Sequence, residues 1–233
     1  MRRINIERKK VDPKEYIRRT ARLSDVSEHI KDDVVIYSDG VPVLLYRILP
    51  KKPNDVRWAV KNIKYGTGKR THGLVNTSAV FGYNPRQENK HDYCSAAAMA
   101  VNFPKQHYVI SNYALEVEKY YKSVFKKTYF KHKNKVREKV KDRWRISSSV
   151  FTSGIVNKNN QLKYHFDSGN FKNVFSNMVV FKGDVDGGHL VIPELDISLE
   201  VADNSLTIFD GQDLLHGVSP IEYRHKDSYR YRK

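Results

Sequence analysis

Three side chains in this 233-residue sequence have the types and spacing to hold a transition metal: His165, Asp167 and His216. His165 and Asp167 lie two positions apart at the end of a predicted strand, and a period of two turns both to one face. His216 lies well downstream, in a second predicted strand that a closed β architecture can bring opposite. A His-x-Asp pair alone arises often by chance; the downstream histidine in strand-rich sequence gives it weight. Two histidines and one carboxylate are the facial triad of non-haem Fe(II) oxygenases. That set fills one face of an octahedron and leaves the other open, enough for a bidentate keto acid and O2. Arg224, Arg230 and Arg232 follow, and a planar guanidinium meets a distal carboxylate with two parallel hydrogen bonds. Any one of these arginines taken alone reads as ordinary surface charge.

The elements that must position these groups are short strands after Trp144: Val150–Asn157, Lys163–Phe166, Phe175–Phe181, His189–Ile192, Ile197–Ala202, Ser205–Phe209 and Leu214–Val218. Turn residues separate them at Asp186-Gly187-Gly188, Asp203-Asn204 and Asp210-Gly211. Many short strands with regular turns imply a sandwich or barrel, and a jelly roll fits. The expected fold class is therefore α+β, a double-stranded β-helix (jelly-roll) core with flanking N-terminal helices. One dioxygenase domain is expected over 1–233. Within it, 1–35 reads as a basic arm and helix, 36–147 as mixed α/β with supporting helices, and 148–233 as the catalytic core.

Upstream, Asp12 and Pro13 suit a cap and first turn of a helix over Pro13–Arg22. Val34–Tyr37 and Val41–Ile48 read as strands joined at Ser38-Asp39-Gly40, Val56–Ile63 as a helix and Leu74–Phe81 as a strand. Ser111–Lys141 has helical periodicity, with Leu115, Val117, Tyr121, Val124 and Phe125 on one side and a dense run of lysines on the other. Such a face is most often simply solvated, but on a chain already this basic a phosphate-contacting role competes with that reading.

Lys and Arg number 42 against 26 Asp and Glu, a net charge of +16 that favours a polyanionic partner. A hydrophobic fraction of 39% is enough for a packed core. The sequence holds no apolar run of membrane-spanning length and no secretory leader, so no membrane partner is expected. One cysteine, Cys94, excludes an internal disulfide and builds no structural zinc site. The expected location is intracellular rather than secreted: the cytoplasm of a prokaryotic or virus-infected cell, or a nucleus. Asp186 and His189, beside Gly187-Gly188, could in principle coordinate a metal, whereas His91, His107 and His132 lack mutual spacing; all five read as structural or surface residues.

Several stretches resemble the TET/JBP family of Fe(II)/2-oxoglutarate-dependent nucleic-acid-modifying dioxygenases. They are Tyr164-His165-Phe166-Asp167-Ser168-Gly169-Asn170, Gly187-Gly188-His189-Leu190-Val191-Ile192-Pro193-Glu194-Leu195, Phe209-Asp210-Gly211-Gln212, and Leu215-His216-Gly217-Val218-Ser219-Pro220-Ile221. The compact form is similar to fungal, protist and phage members, without the Cys-rich zinc region of the animal enzymes. The resemblance covers roughly residues 70–232. It implies oxidation of the C5-methyl of 5-methylcytosine, or of thymine, to hydroxymethyl or a further oxidised product. Fe(II) and O2 with 2-oxoglutarate as cosubstrate would supply the chemistry, on a base flipped from double-stranded DNA, by a monomer. By the same resemblance Asn76, Arg86 and Asn170 would read the base edge. Arg230 would hold 2-oxoglutarate, with Arg232 and then Arg224 behind it. From the charge of the chain, and not from the resemblance, either the Lys64–Arg70 loop, with Lys64, Lys69 and Arg70, or the Lys-rich helix over Ser111–Lys141 is expected to contact the DNA backbone. The sequence stops at Tyr231-Arg232-Lys233, inside a stretch that alternates like a strand and that the family normally continues, so it reads as a truncated chain or an abbreviated jelly roll.

Two other readings compete: a 2-oxoglutarate-dependent protein hydroxylase of prolyl-hydroxylase type, and a non-catalytic basic jelly-roll DNA-binding protein. Overall charge and the Asn76/Arg86 segment favour DNA over protein as substrate. The His-Asp-His set argues against a mere scaffold.

Overall fold

The computed structural model describes residues 1–69, 75–84 and 94–224. The chain forms two compact units. One joins Met1–Pro50 to Gln161–Lys233; the other, Lys51–Asn160, is inserted between those two segments in sequence.

Three sheets, of five, four and two strands, build the discontinuous unit. The five-stranded sheet runs Arg2–Asn5, Val34–Ser38, Val41–Ile48, Ser205–Phe209, Ser176–Val180. The four-stranded sheet runs Gly217–Val218, Leu190–Ile192, Ile197–Leu199, Glu28–Ile30. Val185–Gly187 pairs antiparallel with Ile221–Tyr223 in a two-stranded sheet between segments remote in sequence. One apolar cluster draws on the two larger sheets: Val34, Ile36, Leu44 and Tyr46 from the first, Ile30, Leu190, Ile192, Ile197 and Leu199 from the second. Each large apolar side chain so buried contributes about 1.5–3 kcal/mol. Tyr46 is buried without an orphaned hydroxyl, because it donates to the Glu200 carbonyl and accepts from the Ala202 N–H, both at 2.9 Å. The other face of the four-stranded sheet has its own small cluster, in which Val191 meets Ala21, Val26, Tyr164 and Leu215.

The expected turn at Ser38-Asp39-Gly40 is present. Asp39 and Gly40 both have positive φ, 51° and 73°, the backbone that a two-residue type I′ hairpin needs between Ser38 and Val41. Asp12 caps its helix by accepting from the Lys14 N–H, although the helix spans only Pro13–Tyr16. The N-terminal segment expected as an arm instead supplies two strands. Arg2–Asn5 pairs in parallel with Val34–Ser38, and Glu28–Ile30 in parallel with Ile197–Leu199. Parallel pairing needs no adjacent turn, so local sequence carries no signal for it.

The inserted unit has a sheet in which Val75–Asn84 pairs with Gly66–Lys69, Ser95–Ala96 and Ser153–Asn157. Its helices are Asn54–Lys61, Ala98–Asn102, Pro104–Val124 and Lys126–Lys139. The single helix expected over Ser111–Lys141 is thus two. Phe125 leaves helical geometry at φ −111°, ψ 47° while its ring, 2% exposed, packs 6.2 Å from Tyr121. Burying that ring prevails over continuity of one turn. Val117, Tyr121, Phe125, Tyr129, His132 and Val136 form the buried stripe across the break. No helix among the described residues is long and apolar enough to cross a membrane.

Candidate metal centre

The segment carrying His165 and Asp167 is not the ladder strand that spacing predicts. It forms a single antiparallel bridge, His165 with His216. Its backbone is shared residue by residue between two neighbours. Tyr164 exchanges hydrogen bonds with Arg18 and Arg19, His165 exchanges two with His216 at 2.9 and 3.1 Å, and the Asp167 N–H donates to the Gly211 carbonyl at 2.7 Å. This alternation fixes His165 and Asp167 toward His216 without a continuous strand.

One ligand atom from each of the three side chains lies within 4.8 Å of the others. Asp167 Oδ1 stands 3.7 Å from Nε2 of His165 and 3.7 Å from Nε2 of His216. The two imidazole rings are 4.4 Å apart between centroids. Each ring is oriented from behind. Nδ1 of His165 is 2.7 Å from the Lys163 carbonyl, and Nδ1 of His216 is 2.9 Å from the Leu214 carbonyl. A carbonyl only accepts, so each Nδ1 carries the proton and each Nε2 presents a lone pair. This is the outer bonding that sets the tautomer of metal-ligating histidines. Burial, reinforced by His165, pushes the His216 imidazole down to about 4, so it is neutral at ordinary pH.

Asp167 is also held. Ser176 donates to its Oδ2 at 2.9 Å, leaving Oδ1 toward the histidines, and Asn170 donates to the Ser176 hydroxyl at 3.0 Å. Gln212 in turn donates to the Asn170 carbonyl at 2.8 Å. Gly211 is required by close approach, since a Cβ there would fall 2.2 Å from Asp167 Oδ2. Behind His216, the buried Glu194 accepts the Leu215 N–H at 2.6 Å on one oxygen and Arg8 at 2.7 Å on the other. Arg8 also pairs with Asp213 at 2.6 Å, tying the N-terminal segment to the approach to His216. The side chains grade from His216, 7% exposed, through His165 at 19% to Asp167 at 31%, so the cluster opens on its carboxylate side.

The other predicted site residues fall as follows. Asn170 sits in the network just described. Arg224 donates to Asp186 from Nε and Nη2, at 2.9 and 2.7 Å, beside the two-stranded sheet, with both side chains exposed. Lys64 is exposed in the inserted unit, where the strands that carry Lys69 and Asn76 pair with each other. The side chains of Lys69 and Asn76, and the whole of Arg70, Arg86, Arg230 and Arg232, lie outside the described residues. Among the described residues no second cluster of metal-ligating side chains occurs. His107 accepts from the Gly82 N–H, and His132 is core, as expected of structural histidines. His91 lies outside the described residues. Sequence reasoning missed Ser176, Glu194 and Arg8. Nothing near Ser176 in sequence announces its role, whereas the Asp210-Gly211-Gln212 turn was visible but not its reason.

No family model matches the chain, and no curated protein matches its sequence. Among solved structures, the chain is similar to NgTET1 in complex with 5mC DNA, at 14% identity over 83% of this chain and 73% of that chain, with a TM-score of 0.56. The shared property at that identity is the fold, a mixed α+β arrangement of several sheets with helices. The particular protein is then characterised by its own His165-Asp167-His216 cluster, which is compatible with binding a metal ion.

Proposed function

We propose that this chain is an Fe(II)- and 2-oxoglutarate-dependent dioxygenase that oxidises the C5-methyl of 5-methylcytosine or thymine in DNA. The observation that carries the reading is the convergence of two Nε2 lone pairs and one carboxylate oxygen, each fixed from behind. Two imidazoles and one carboxylate with open positions are the facial set of Fe(II) oxygenases; catalytic zinc takes similar donors, so the choice of iron rests on the likeness to a solved TET structure. The likeness to a solved TET structure bound to 5mC DNA supports DNA as the substrate class. The two sheets sharing one core are read as the halves of a double-stranded β-helix, closed around the cluster.

When bound, Fe(II) with 2-oxoglutarate and O2 would supply the oxidising equivalent for a methyl group. The protein's part is arrangement. His165 and His216 offer Nε2 donors whose ring orientation is set by the Lys163 and Leu214 carbonyls. Asp167 offers Oδ1 because Ser176 occupies Oδ2. The buried His216 side excludes water from one flank, and the more exposed Asp167 side leaves room for cosubstrate and base. Arg230 is the first choice for the distal carboxylate of 2-oxoglutarate, then Arg232; Arg224 already has its fork on Asp186. Asn76, Arg86 and Asn170 would meet the flipped base, and Lys64, Lys69 and Arg70 the backbone of double-stranded DNA. The reading includes a monomer working inside a cell.

The test is mass spectrometry of nucleosides from methylated DNA incubated with the protein, Fe(II), 2-oxoglutarate and ascorbate. Hydroxymethyl product that disappears with Asp167→Ala is expected. Iron-loaded protein that turns 2-oxoglutarate into succinate while every methylpyrimidine stays intact would overturn the DNA substrate and leave the oxygenase.

A further inference from the structure

Charge is divided unequally between the two units. Of 42 Lys and Arg, 23 lie in Lys51–Asn160, against 7 of the 26 Asp and Glu; the other unit therefore holds 19 of each. The whole net charge of +16 belongs to the inserted unit, and the unit with the metal cluster is neutral. The density is greatest on the Lys126–Lys139 helix, which carries seven Lys or Arg and one acidic residue, Glu138.

That helix buries Phe125, Tyr129, His132 and Val136 along one side. The same 4-3-4 spacing shifted by one residue gives Lys126, Phe130, Lys133 and Arg137, a stripe about 100° further round the helix. All four are exposed, Phe130 by 41%. Among the described residues none of Lys126, Lys133 and Arg137 is paired with a carboxylate. Helix stability does not account for the pattern. Lys126 and Lys127 stand in the first turn, which has no acidic residue, at the end where the helix dipole disfavours cations. An aromatic ring set between cations at i−4, i+3 and i+7 is the arrangement that grips an unpaired nucleic-acid strand: charges for phosphates and a flat face for a base. An intact duplex or an acidic polypeptide would use the cations and leave the ring idle.

We infer that the Lys126–Phe130–Lys133–Arg137 stripe is a binding surface for single-stranded nucleic acid. The inference deepens the DNA reading above and rests on it for the choice of polyanion, but not on the iron chemistry. It gives the inserted unit its own task, holding strand that is not base-paired.

Fluorescence anisotropy of the full chain tests it, with labelled oligothymidine, a duplex of equal length and polyglutamate, over a range of salt. Oligothymidine should bind more tightly than duplex, and polyglutamate weakly. Phe130→Ala should weaken oligothymidine about 5-fold or more and leave duplex unchanged, with Phe130→Tyr restoring binding. Lys126→Gln, Lys133→Gln and Arg137→Gln together should lower the salt slope for oligothymidine by about 2, at roughly 0.7 per phosphate neutralised. Duplex binding with an unaltered response to Phe130→Ala and the triple variant on oligothymidine overturns this surface alone. Equal binding of polyglutamate also overturns it. No binding of either nucleic acid overturns the DNA reading as well.

Discussion

The two units treat charge in opposite ways. In the discontinuous unit, cations are matched to carboxylates: Arg8 to Glu194 and Asp213, Lys9 to Asp196, Arg19 to Asp25, Lys31 to Glu200 and Arg224 to Asp186. Three of these six pairs, Arg8–Asp213, Lys31–Glu200 and Arg224–Asp186, are exposed on both sides and add little to stability. Together the six make a neutral body whose distinctive polar feature is an inward cluster of two histidines and an aspartate. The inserted unit also pairs Lys119 with Glu116 and Arg145 with Asp142, but Lys126, Lys133 and Arg137 face solvent without carboxylate partners among the described residues, and the buried His132 of the Lys126–Lys139 helix has an unpartnered Nδ1. One unit carries a cluster compatible with a metal ion, and the other carries the excess of positive charge.

Four experiments break or sharpen that contrast. Asp167→Ala should abolish methyl oxidation and weaken Fe(II) binding by more than the roughly 10–100-fold that losing an outer partner costs, with the far-ultraviolet circular dichroism unchanged. Undiminished metal affinity would place the ion elsewhere. Next, Ser176→Ala should cost about 10–100-fold in metal affinity or activity by releasing Asp167 Oδ2, and Gly211→Ala should cost at least as much, because its Cβ displaces the same oxygen. Titration calorimetry with Fe(II) under nitrogen reads both, and neither should alter nucleic-acid affinity.

The third concerns His132. Burial, reinforced by Lys135, pushes its imidazole down to about 4, between the rings of Tyr121 and Phe151. A histidine depressed in the folded state binds fewer protons folded than unfolded at mildly acid pH. Its folded form is therefore fully favoured above about 6.5 and loses stability as pH falls toward 4. The loss should total on the order of 3 kcal/mol across that window, seen as a falling denaturant midpoint that His132→Phe flattens. A parallel fall in His132→Phe would assign the acid sensitivity to other groups. The smallest effect is expected from neutralising Lys64, Lys69 and Arg70 together. The salt slope of duplex binding should drop by about 0.9 for each phosphate that no longer meets a cation, while decarboxylation of 2-oxoglutarate without DNA continues. An unchanged slope would remove these three from the interface.

The chemistry of the candidate site was legible because ligand identity is a matter of residue type. His165, Asp167 and His216 could be singled out with no knowledge of their neighbours. Their support was not, since Ser176, Glu194 and Arg8 come close only through pairings between segments remote in sequence. The strands Ser205–Phe209 and Val41–Ile48 were legible to the residue, being β-rich and bounded by turns. Glu28–Ile30 was invisible because a three-residue parallel strand has no hairpin signal. The break at Phe125 was missed for a different reason: both halves keep helical periodicity, and only the burial of one ring divides them.

The insertion has a consequence for how the chain matures. Val41–Ile48 finds its partner Ser205–Phe209 only after the whole of Lys51–Asn160 has been made. Synthesis runs from the N-terminus and domains fold as units, so the inserted unit can complete itself while the first fifty residues wait with open strand edges. Closing that long loop is slow relative to local pairing. The ligands are assembled last, when His216 meets His165. A nascent chain arrested before Ser205 should therefore protect the Lys126–Lys139 helix from protease and leave Val41–Ile48, which still lacks Ser205–Phe209, open to it, with the His165–Asp167–His216 cluster not yet assembled.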